Sequence, residues 1–483
     1  MKSLLRLLAA APFLLAAACT TTSSTTTATA PPAPAPMPAP MPARAPAPMP
    51  AATAAMAPYS IPVQYSKLDN GLKVVLSPDH TAPTVVVAVY YGIGFRVEPR
   101  DRTGFAHLFE HLMFQGSGNL GKMEFIKLVQ SNGGILNGST RFDFTNYFEV
   151  VPSNTLQTML WAEADRMRGL NISDENLKNQ QAVVKNEVRV NVLNRPYGGF
   201  PWLDMPQYAN TNWYNAHNFY GDLTDLDAAT LTDARAFFRS YYAPNNAAIA
   251  IVGDFEPAQA TAWVQQYFGN IAAQPQPAPA DIAEPRQTEE RHASKTDEKA
   301  TRPALALGYH APQRNTPEYY ALTLIDQILA VGKDSWLYQD LVQKRGFTGE
   351  VDATLNELGN PFDIKGPTLW TVSLYHDKDK TTEEIVKAVD EQIARLQAQP
   401  VDAATLDRAR VKVRSQLFDE LEGLFGFGRA DLLASFALFD DDPSEINRLE
   451  GEFAKVTPEL IQKTAQEYLR PTNRTVLTIV PKS

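Results

Sequence analysis

The sequence predicts an α+β protein built from two homologous halves, and two observations support this fold class. Short runs rich in β-branched residues, at 72–77, 84–90 and 247–252, alternate with long segments of helical periodicity. In addition, the segment 230–249 has a second copy at 457–476, at a constant offset of 227 residues. Each half is therefore expected to contain a mixed sheet flanked by helices.

The two copies of the repeat share the same order of local signals. Thr230 and Thr457 each precede a helical pattern that ends in tyrosine, at Tyr241 and Tyr468. Threonine is a favoured helix N-cap, and the Pro-Asn turn and β-branched run that follow are typical of a short strand. Both copies thus predict a capped helix, a turn and a strand.

The first 19 residues have the pattern of an export signal. A basic start leads into a short apolar stretch that ends in small residues and is too short to span a bilayer. It ends at Cys19, the only cysteine of the chain, so no internal disulfide can form. The run from Leu15 to Cys19 resembles a bacterial lipoprotein cleavage box, which predicts lipidation of Cys19 and, with Thr20 next, an outer-membrane anchor. The alternative is ordinary signal cleavage near Ala18.

Composition then divides the remaining chain. Residues 20–58 contain only Thr, Ser, Ala, Pro and Met apart from Arg44, so they cannot bury a core and are predicted to form a disordered tether. Residues 273–301 are rich in Pro, Gln and charge, which is typical of a linker. The expected organisation is a signal peptide at 1–19, a tether at 20–58, an N-terminal metal-binding domain at 59–272, a linker at 273–301 and a homologous C-terminal domain at 302–483.

The charge balance restricts the possible partners. The formal net charge is −10, which argues against nucleic acid because such partners favour a basic surface. No second apolar stretch reaches membrane-spanning length. The predicted protein is therefore exported and periplasmic, and its expected membrane contact is the lipid anchor.

The most informative motif is His107-Leu-Phe-Glu110-His111. At 3.6 residues per turn, the two histidines stand one above the other, and Glu110 lies within about 100° of both. The opposite side of this helix carries an apolar stripe of Phe105, Leu108, Phe109 and Leu112. A catalytic Zn²⁺ takes three protein ligands and leaves a position for water. The histidines supply two ligands, and the third must come from elsewhere.

His-x-x-Glu-His is a zinc peptidase signature, and the chain resembles the pitrilysin/insulinase family. That family has a distal glutamate ligand, which corresponds here to Glu187, 76 positions after His111. The resemblance implies one Zn²⁺ per chain, held by His107, His111 and Glu187, with Glu110 as the general base. It also implies two half-shells that close around a chamber in which peptides or unfolded polypeptides are hydrolysed.

A second segment extends the resemblance. Residues 132–140, followed by Asp143, Thr145 and Tyr147, are similar to the family's Gly-Gly-x-x-Asn-Ala-x-Thr segment, which lines the substrate. The resemblance therefore implies that Asn137, Gly138 and Ser139 bind an extended peptide. Further similarity occurs at 242–246 and 253–255.

The chain departs from the family at three positions. The second half of family members contributes an Arg and, seven residues later, a Tyr to the substrate carbonyl; alignment on 335–349 places Val342 and Gly349 there. Neither side chain can donate a hydrogen bond. Near the distal ligand, Gln180 replaces a family glutamate, and Gln180 can donate or accept a hydrogen bond but cannot take up a proton.

The departures leave several functions open. The resemblance favours the zinc-bearing subunit of a heterodimer, in which a homologous partner supplies the Arg and Tyr. The alternatives are a non-catalytic assembly protein on the same fold and a maturase that acts on one dedicated peptide. The complete set His107, Glu110, His111 and Glu187 argues against the former, and the export signal argues against a cytosolic maturase.

Overall fold

The computed structural model describes residues 59–482. The predicted signal peptide, the lipidation site Cys19 and the tether 20–58 lie outside the described residues. Within residues 59–482, no helix combines the length and apolar character needed to cross a membrane.

The first sheet has the strand order β1-β2-β6-β3-β5-β4. β2 and β6 run parallel, and all other neighbours in this sheet are antiparallel. The strand bounds are β1 (Gln64–Lys67), β2 (Lys73–Pro78), β3 (Thr84–Tyr91), β4 (Ile135–Thr140), β5 (Thr145–Pro152) and β6 (Ala247–Gly253).

The second sheet repeats this topology with one strand fewer. Its order is β7-β11-β8-β10-β9, with β7 and β11 parallel and the other neighbours antiparallel. This matches β2-β6-β3-β5-β4 strand for strand, so the prediction of two homologous α+β halves is confirmed. The bounds are β7 (Arg291–Asp297), β8 (Ala304–His310), β9 (Asp352–Thr354), β10 (Leu369–Tyr375) and β11 (Arg474–Pro481).

Helices flank both sheets. The first half contains α1 (Phe105–Leu112), α2 (Glu124–Ser131), α3 (Leu156–Arg168), α4 (Asp174–Val188), α5 (Asp204–Ala209), α6 (Trp213–Ala216), α7 (Leu223–Ala228), α8 (Leu231–Tyr241) and α9 (Pro257–Phe268). The second half contains α10 (Pro317–Leu329), α11 (Thr382–Ala398), α12 (Ala403–Leu421), α13 (Gly423–Asp440), α14 (Leu449–Lys455) and α15 (Pro458–Tyr468). Two short segments, Arg189–Leu193 and Tyr338–Lys344, are π-helical. 3₁₀ turns occur at Phe95–Val97, Ser153–Thr155, Pro244–Asn246, Pro443–Asn447 and Pro471–Asn473.

The local predictions of the repeat are confirmed. The side chain of Thr230 accepts a hydrogen bond from the amide of Asp233 at the start of α8, and Thr457 caps α15 through the amide of Leu460. A 3₁₀ turn and then a strand follow each helix, at β6 and at β11. These caps satisfy amides that the first turn of a helix leaves without partners.

Each half also contributes a helix to the sheet of the other half. α13 lies on the first sheet, where Phe427 stacks on Phe148 at a centroid distance of 3.7 Å and Asp431 accepts a hydrogen bond from Tyr90. α5 lies on the second sheet, where Asp204 pairs with Lys295 at 2.9 Å. Asp204 and Asp431 are separated by 227 residues, the offset of the repeat, so the exchange follows the internal symmetry.

The predicted linker ends earlier than expected. Residues 273–290 have no regular secondary structure, but Arg291–Asp297 form β7, which pairs with β11. Ala293 is the one apolar residue of this segment, which therefore has no apolar face and resembles a linker in composition. Pairing with a strand about 180 residues later in the chain, which sequence patterning does not reveal, makes it an edge strand.

Candidate metal centre

The helix that carries the two histidines is fixed at its start by a buried carboxylate. Glu98 accepts hydrogen bonds from the amides of Gly104 and Ala106, which satisfies two unpaired donors of the first turn of α1. Gly104 has a φ of 82°, and a Cβ there would lie 2.5 Å from the carbonyl oxygen of Tyr220. The predicted apolar stripe is completely buried at Phe105, Leu108, Phe109 and Leu112. The orientation of the helix, with its histidines turned away from this core, follows from that burial.

The third predicted ligand lies on the penultimate residue of α4. Ser173 caps this helix by accepting a hydrogen bond from the amide of Asn176 at 3.1 Å. α4 packs against α1, and the π-helical turn Arg189–Leu193 begins two residues after Glu187. π-Helical turns are rare and are frequently found at functional sites.

The structure brings His107, His111 and Glu187 together. Oε2 of Glu187 lies 3.7 Å from Nε2 of His107 and 3.4 Å from Nε2 of His111. Ligands at 2.0–2.1 Å from a tetrahedral Zn²⁺ are roughly 3.3 Å apart, close to both distances from Glu187. All three ligand atoms lie within 4.8 Å of one another, so the donor set can hold one ion. It is the only group of three potential His, Cys, Asp or Glu ligands found among residues 59–482.

The electrostatics of the group are those of a site that prefers a cation. Burial lowers the pKa of His107, and the nearby His111 adds to this effect. Burial disfavours the charged forms of His111 and Glu187, yet their mutual hydrogen bond raises the pKa of His111 and lowers that of Glu187. Zinc binding requires neutral imidazoles and an ionised carboxylate. His107 and Glu187 favour these states, whereas at His111 the ion must displace the proton that Glu187 stabilises.

The two histidine rings are contacted by different kinds of side chain. Gln180, predicted to stand next to the site, is buried next to His111 and raises the pKa of that imidazole. His107 packs between the rings of Phe219 and Tyr220, at centroid distances of 5.4 and 5.2 Å. Its Nδ1 is buried without a hydrogen-bond partner among the described residues, so packing orients this ring. Phe219 and Tyr220 were not predicted from the sequence because neither belongs to a motif.

The predicted base, Glu110, faces the edge strand β4. Glu110 is 8% exposed, and its Oε2 accepts a hydrogen bond of 2.8 Å from Oγ1 of Thr140. A Cβ on Gly138 would lie 3.3 Å from Cγ of Glu110, so the strand passes close to the carboxylate. The sequence placed Thr140 in the substrate segment but did not reveal that it contacts the base.

The three predicted substrate-binding residues have different environments. Asn137 is exposed, and its side chain accepts a hydrogen bond from the amide of Gly138 at 2.9 Å. Gly138 is buried against the base, and Ser139 is buried and donates to Asn146. β4 is the last strand of the first sheet, so among residues 59–482 no further strand pairs with its outer edge. The side chain of Asn137 is therefore accessible to a ligand, and the outer edge of β4 has no strand partner.

The second half contains no comparable metal group among its described residues. Val342 lies within the π-helical segment Tyr338–Lys344 and is half-buried. Gly349 is exposed, its backbone is outside the left-handed region, and a Cβ there would meet no atom within 4 Å. The backbone at position 349 is therefore compatible with a tyrosine.

Comparison with known proteins gives one family match in the metal-binding half of the chain and a second match that extends into the other half. The family model described as "Insulinase (Peptidase family M16)" matches residues 73–198, and the model described as "Peptidase M16 inactive domain" matches residues 228–413. The first match contains His107, Glu110, His111 and Glu187. The second covers most of the half that has no metal group.

Individual relatives extend over nearly the whole described chain. The zinc protease PqqE of Helicobacter pylori is 26% identical over 423 residues, which cover 86% of this chain and 92% of that protein. The crystal structure of a protease from Helicobacter pylori superposes with a TM-score of 0.80 at 26% identity, over 88% of this chain and 100% of that one. The periplasmic protease PqqL from Escherichia coli shares the fold, with a TM-score of 0.70 at 18% identity, over 88% of this chain and 48% of that one.

The two models together span most of the described chain, and its sheets and metal-ligand set agree with them. The chain is a two-half member of the insulinase, or pitrilysin, family of peptidases, family M16.

Proposed function

We propose that this protein is a zinc metallopeptidase that hydrolyses peptides or unfolded polypeptides. The observation that carries the proposal is the convergence of His107, His111 and Glu187, whose ligand atoms lie within 4.8 Å of one another, with the carboxylate of Glu110 on the helix of the two histidines. The relatives named zinc proteases support it. The predicted cofactor is one Zn²⁺ per chain.

The residues of the site divide the chemistry between them. When bound, Zn²⁺ supplies a Lewis acid that lowers the pKa of a water ligand to about 7 and polarises the peptide carbonyl. Glu110 accepts a proton from the attacking water at Oε1 and transfers it to the amine that leaves as the C–N bond breaks. His107, His111 and Glu187 would hold the ion, with Gln180 next to His111.

The edge of β4 supports an extended peptide as the substrate. An exposed strand edge binds a peptide through main-chain hydrogen bonds, with little dependence on side-chain identity. β4 runs past Glu110 and ends in Thr140, so a peptide paired with Asn137, Gly138 and Ser139 lies next to the base. A substrate must be locally unfolded to pair in this way.

The second half supports a division of labour with another polypeptide. Val342 and Gly349 offer no side-chain donor to the substrate carbonyl, and loss of such donors typically costs several kcal/mol of transition-state stabilisation. A relative from Arabidopsis thaliana, 20% identical over 362 residues, is named as a probable subunit beta of mitochondrial-processing peptidase. We infer that this chain is the zinc-bearing subunit of a heterodimer, with a homologous partner that contributes an Arg and a Tyr.

The cellular location belongs to the same proposal. The export signal and Cys19 support a periplasmic protein that is lipid-anchored to the outer membrane. The structural similarity to a periplasmic protease is consistent with this location. Labelling with a radioactive or alkyne fatty acid tests the anchor, with Cys19→Ala as the control that must remain unlabelled.

A non-catalytic assembly protein is the second candidate. The missing Arg and Tyr favour it, and a bovine relative, 26% identical over 219 residues, is named as subunit 1 of the cytochrome b-c1 complex. The complete ligand set of the first half favours the peptidase. The two candidates differ in whether the purified chain has metal-dependent activity.

The deciding experiment measures zinc and hydrolysis in the same samples. The full chain is assayed by elemental analysis and on a quenched unstructured peptide, alone and with a homologous chain that carries the Arg and Tyr. We expect one Zn²⁺ per chain and chelator-sensitive cleavage that the partner accelerates. Zinc-free protein, or no cleavage with or without the partner, would contradict the proposal.

A further inference from the structure

The geometry points to Thr140 as a positioning residue that holds the carboxylate of Glu110 in the orientation a general base requires. The inference rests on the proposed peptidase function, and it assigns a role to a side chain that does not contact the metal ligands. The hydrogen bond from Oγ1 of Thr140 to Oε2 of Glu110, at 2.8 Å, carries it.

The hydroxyl has one good acceptor. The carbonyl oxygen of Ala106 lies 3.5 Å from Oγ1, at the outer limit of a hydrogen bond, so Glu110 is the principal partner. Thr140 is 3% exposed, so water does not compete readily for the hydroxyl. Because threonine is β-branched, its χ1 angle has few options and the direction of the hydroxyl is well defined.

The strand that carries Thr140 is itself fixed against the metal-binding helix. Side chains two residues apart in a strand point to the same side, so Gly138 and Thr140 both face Glu110. Tyr147, the partner of Gly138 on β5, donates a hydrogen bond of 3.2 Å to the carbonyl oxygen of Phe109 on α1. The absence of a Cβ at Gly138 allows this close approach, since a Cβ would press on both Glu110 and Tyr147.

The hydrogen bond from Thr140 can keep Glu110 from becoming a metal ligand itself. Glu110 lies on the same helical face as His107 and His111, and a free carboxylate there can rotate onto the metal as a fourth protein ligand. Catalytic zinc sites need that position for water. With Oε2 held by Thr140, only Oε1 remains for the water, and the carboxylate stays at the side of the metal.

The first test compares three side chains at position 140. Thr140→Val keeps the shape but removes the hydroxyl, and Thr140→Ser keeps the hydroxyl. We expect Thr140→Val to lower kcat by about 10- to 100-fold, the range usual for groups that orient a metal site, with KM and zinc content little changed. Thr140→Ser should recover most of kcat. Thr323→Val is the matched control, because Thr323 is a buried threonine of the second half whose hydroxyl donates to the backbone carbonyl of Tyr319 at 3.0 Å.

The second test does not depend on hydrolysis. Cobalt(II) replaces zinc, and its visible spectrum reports the number of ligands. We expect Thr140→Val to shift the spectrum towards a higher coordination number and Thr140→Ser to resemble the wild type. In a Glu110→Ala background, Thr140→Val should change nothing further, since no carboxylate remains to be held.

The outcomes separate this inference from the proposed function. If the wild type cleaves peptide and Thr140→Val has the wild-type kcat, or if Thr140→Val and Thr140→Ser are equally impaired, the positioning role is wrong and the peptidase stands. If the wild type cleaves nothing even with a partner, the peptidase proposal fails and the cobalt spectra decide the inference alone. Identical spectra for wild type and Thr140→Val would then overturn it.

Discussion

Glu420 is predicted to destabilise the folded protein at neutral and alkaline pH. It lies on α12, one residue before the end of the helix, in a largely buried position close to Asp431. Burial is the main cause that raises the pKa of Glu420 to about 7, Asp431 adds to the effect, and Arg141 opposes it. Replacing this carboxyl by the isosteric amide in Glu420→Gln removes the titration.

The sign and size of the effect follow from the shift. The native pKa of Glu420 is about 7, against an ordinary value of 4.5, so the folded state binds the proton more tightly. The penalty is absent below pH 4.5, grows as the pH rises, and is complete above pH 7. Its limit is about 3 kcal/mol, and the part that develops between pH 5 and pH 8 is about 2.5 kcal/mol.

The assay is urea unfolding of wild type and Glu420→Gln at pH 5 and pH 8. Titrating groups that do not interact with Glu420, including the histidines of the metal site, are common to both proteins and cancel in the difference. The neighbouring Asp431 belongs to the effect that is measured. We compare the free energy of unfolding of Glu420→Gln with that of the wild type at each pH. We expect the advantage of Glu420→Gln to be about 2.5 kcal/mol larger at pH 8 than at pH 5. Glu383→Gln, an exposed acid on the first turn of α11, serves as the control and should show no such difference.

A difference between the two proteins that is the same at both pH values would refute the reasoning, because it would show that Glu420 does not titrate in this range. Destabilisation of Glu420→Gln at pH 8 would refute it more strongly. That result would mean that the ionised carboxylate is favoured in the folded state, for instance by Arg141.

The remaining predictions concern the metal site and the partner. Glu187→Gln should remove most of the zinc, because a three-ligand site loses affinity when its charged ligand is lost; equal zinc content by elemental analysis would exclude Glu187 as a ligand. Glu110→Gln should retain zinc and secondary structure but lose ~10² or more in peptide hydrolysis; activity that survives the change must arise elsewhere. The lone chain should be slow, and Val342→Arg with Gly349→Tyr should increase its rate, which the open surroundings of Gly349 permit. Full activity of a wild-type monomer, sized and assayed in one fraction, would contradict the need for a partner.

Sequence patterns predicted those parts of the fold that depend on interactions between residues close together in the chain. The strands predicted at 72–77, 84–90 and 247–252 agree with β2, β3 and β6 to within a residue at each end. The stripe opposite the histidines predicted the buried face of α1, and the threonine caps predicted the starts of α8 and α15. Each depends on residues within one or two turns, so the chain carries the complete signal.

Other features escaped prediction because their partners are distant in the chain. β7 has no apolar alternation and is a strand only because it pairs with β11. The exchange of α5 and α13 between the sheets depends on which surfaces the two halves leave uncovered. Tyr220, next to the ring of His107, has no motif, and its role arises from the path of the chain around α1.

The sequence by itself determined the chemistry of this protein, because His-x-x-Glu-His on a helix places two metal ligands and a base on one face whatever surrounds it. Through the family resemblance it also indicated Glu187 as the third ligand and implied that two donors are missing from the second half. Only the tertiary structure decided how these groups are oriented. The spacing of Glu187 from the histidines and the hydrogen bond from Thr140 to Glu110 depend on how α4 and β4 pack against α1. That packing results from burying many apolar side chains at once, which no single segment of the chain encodes.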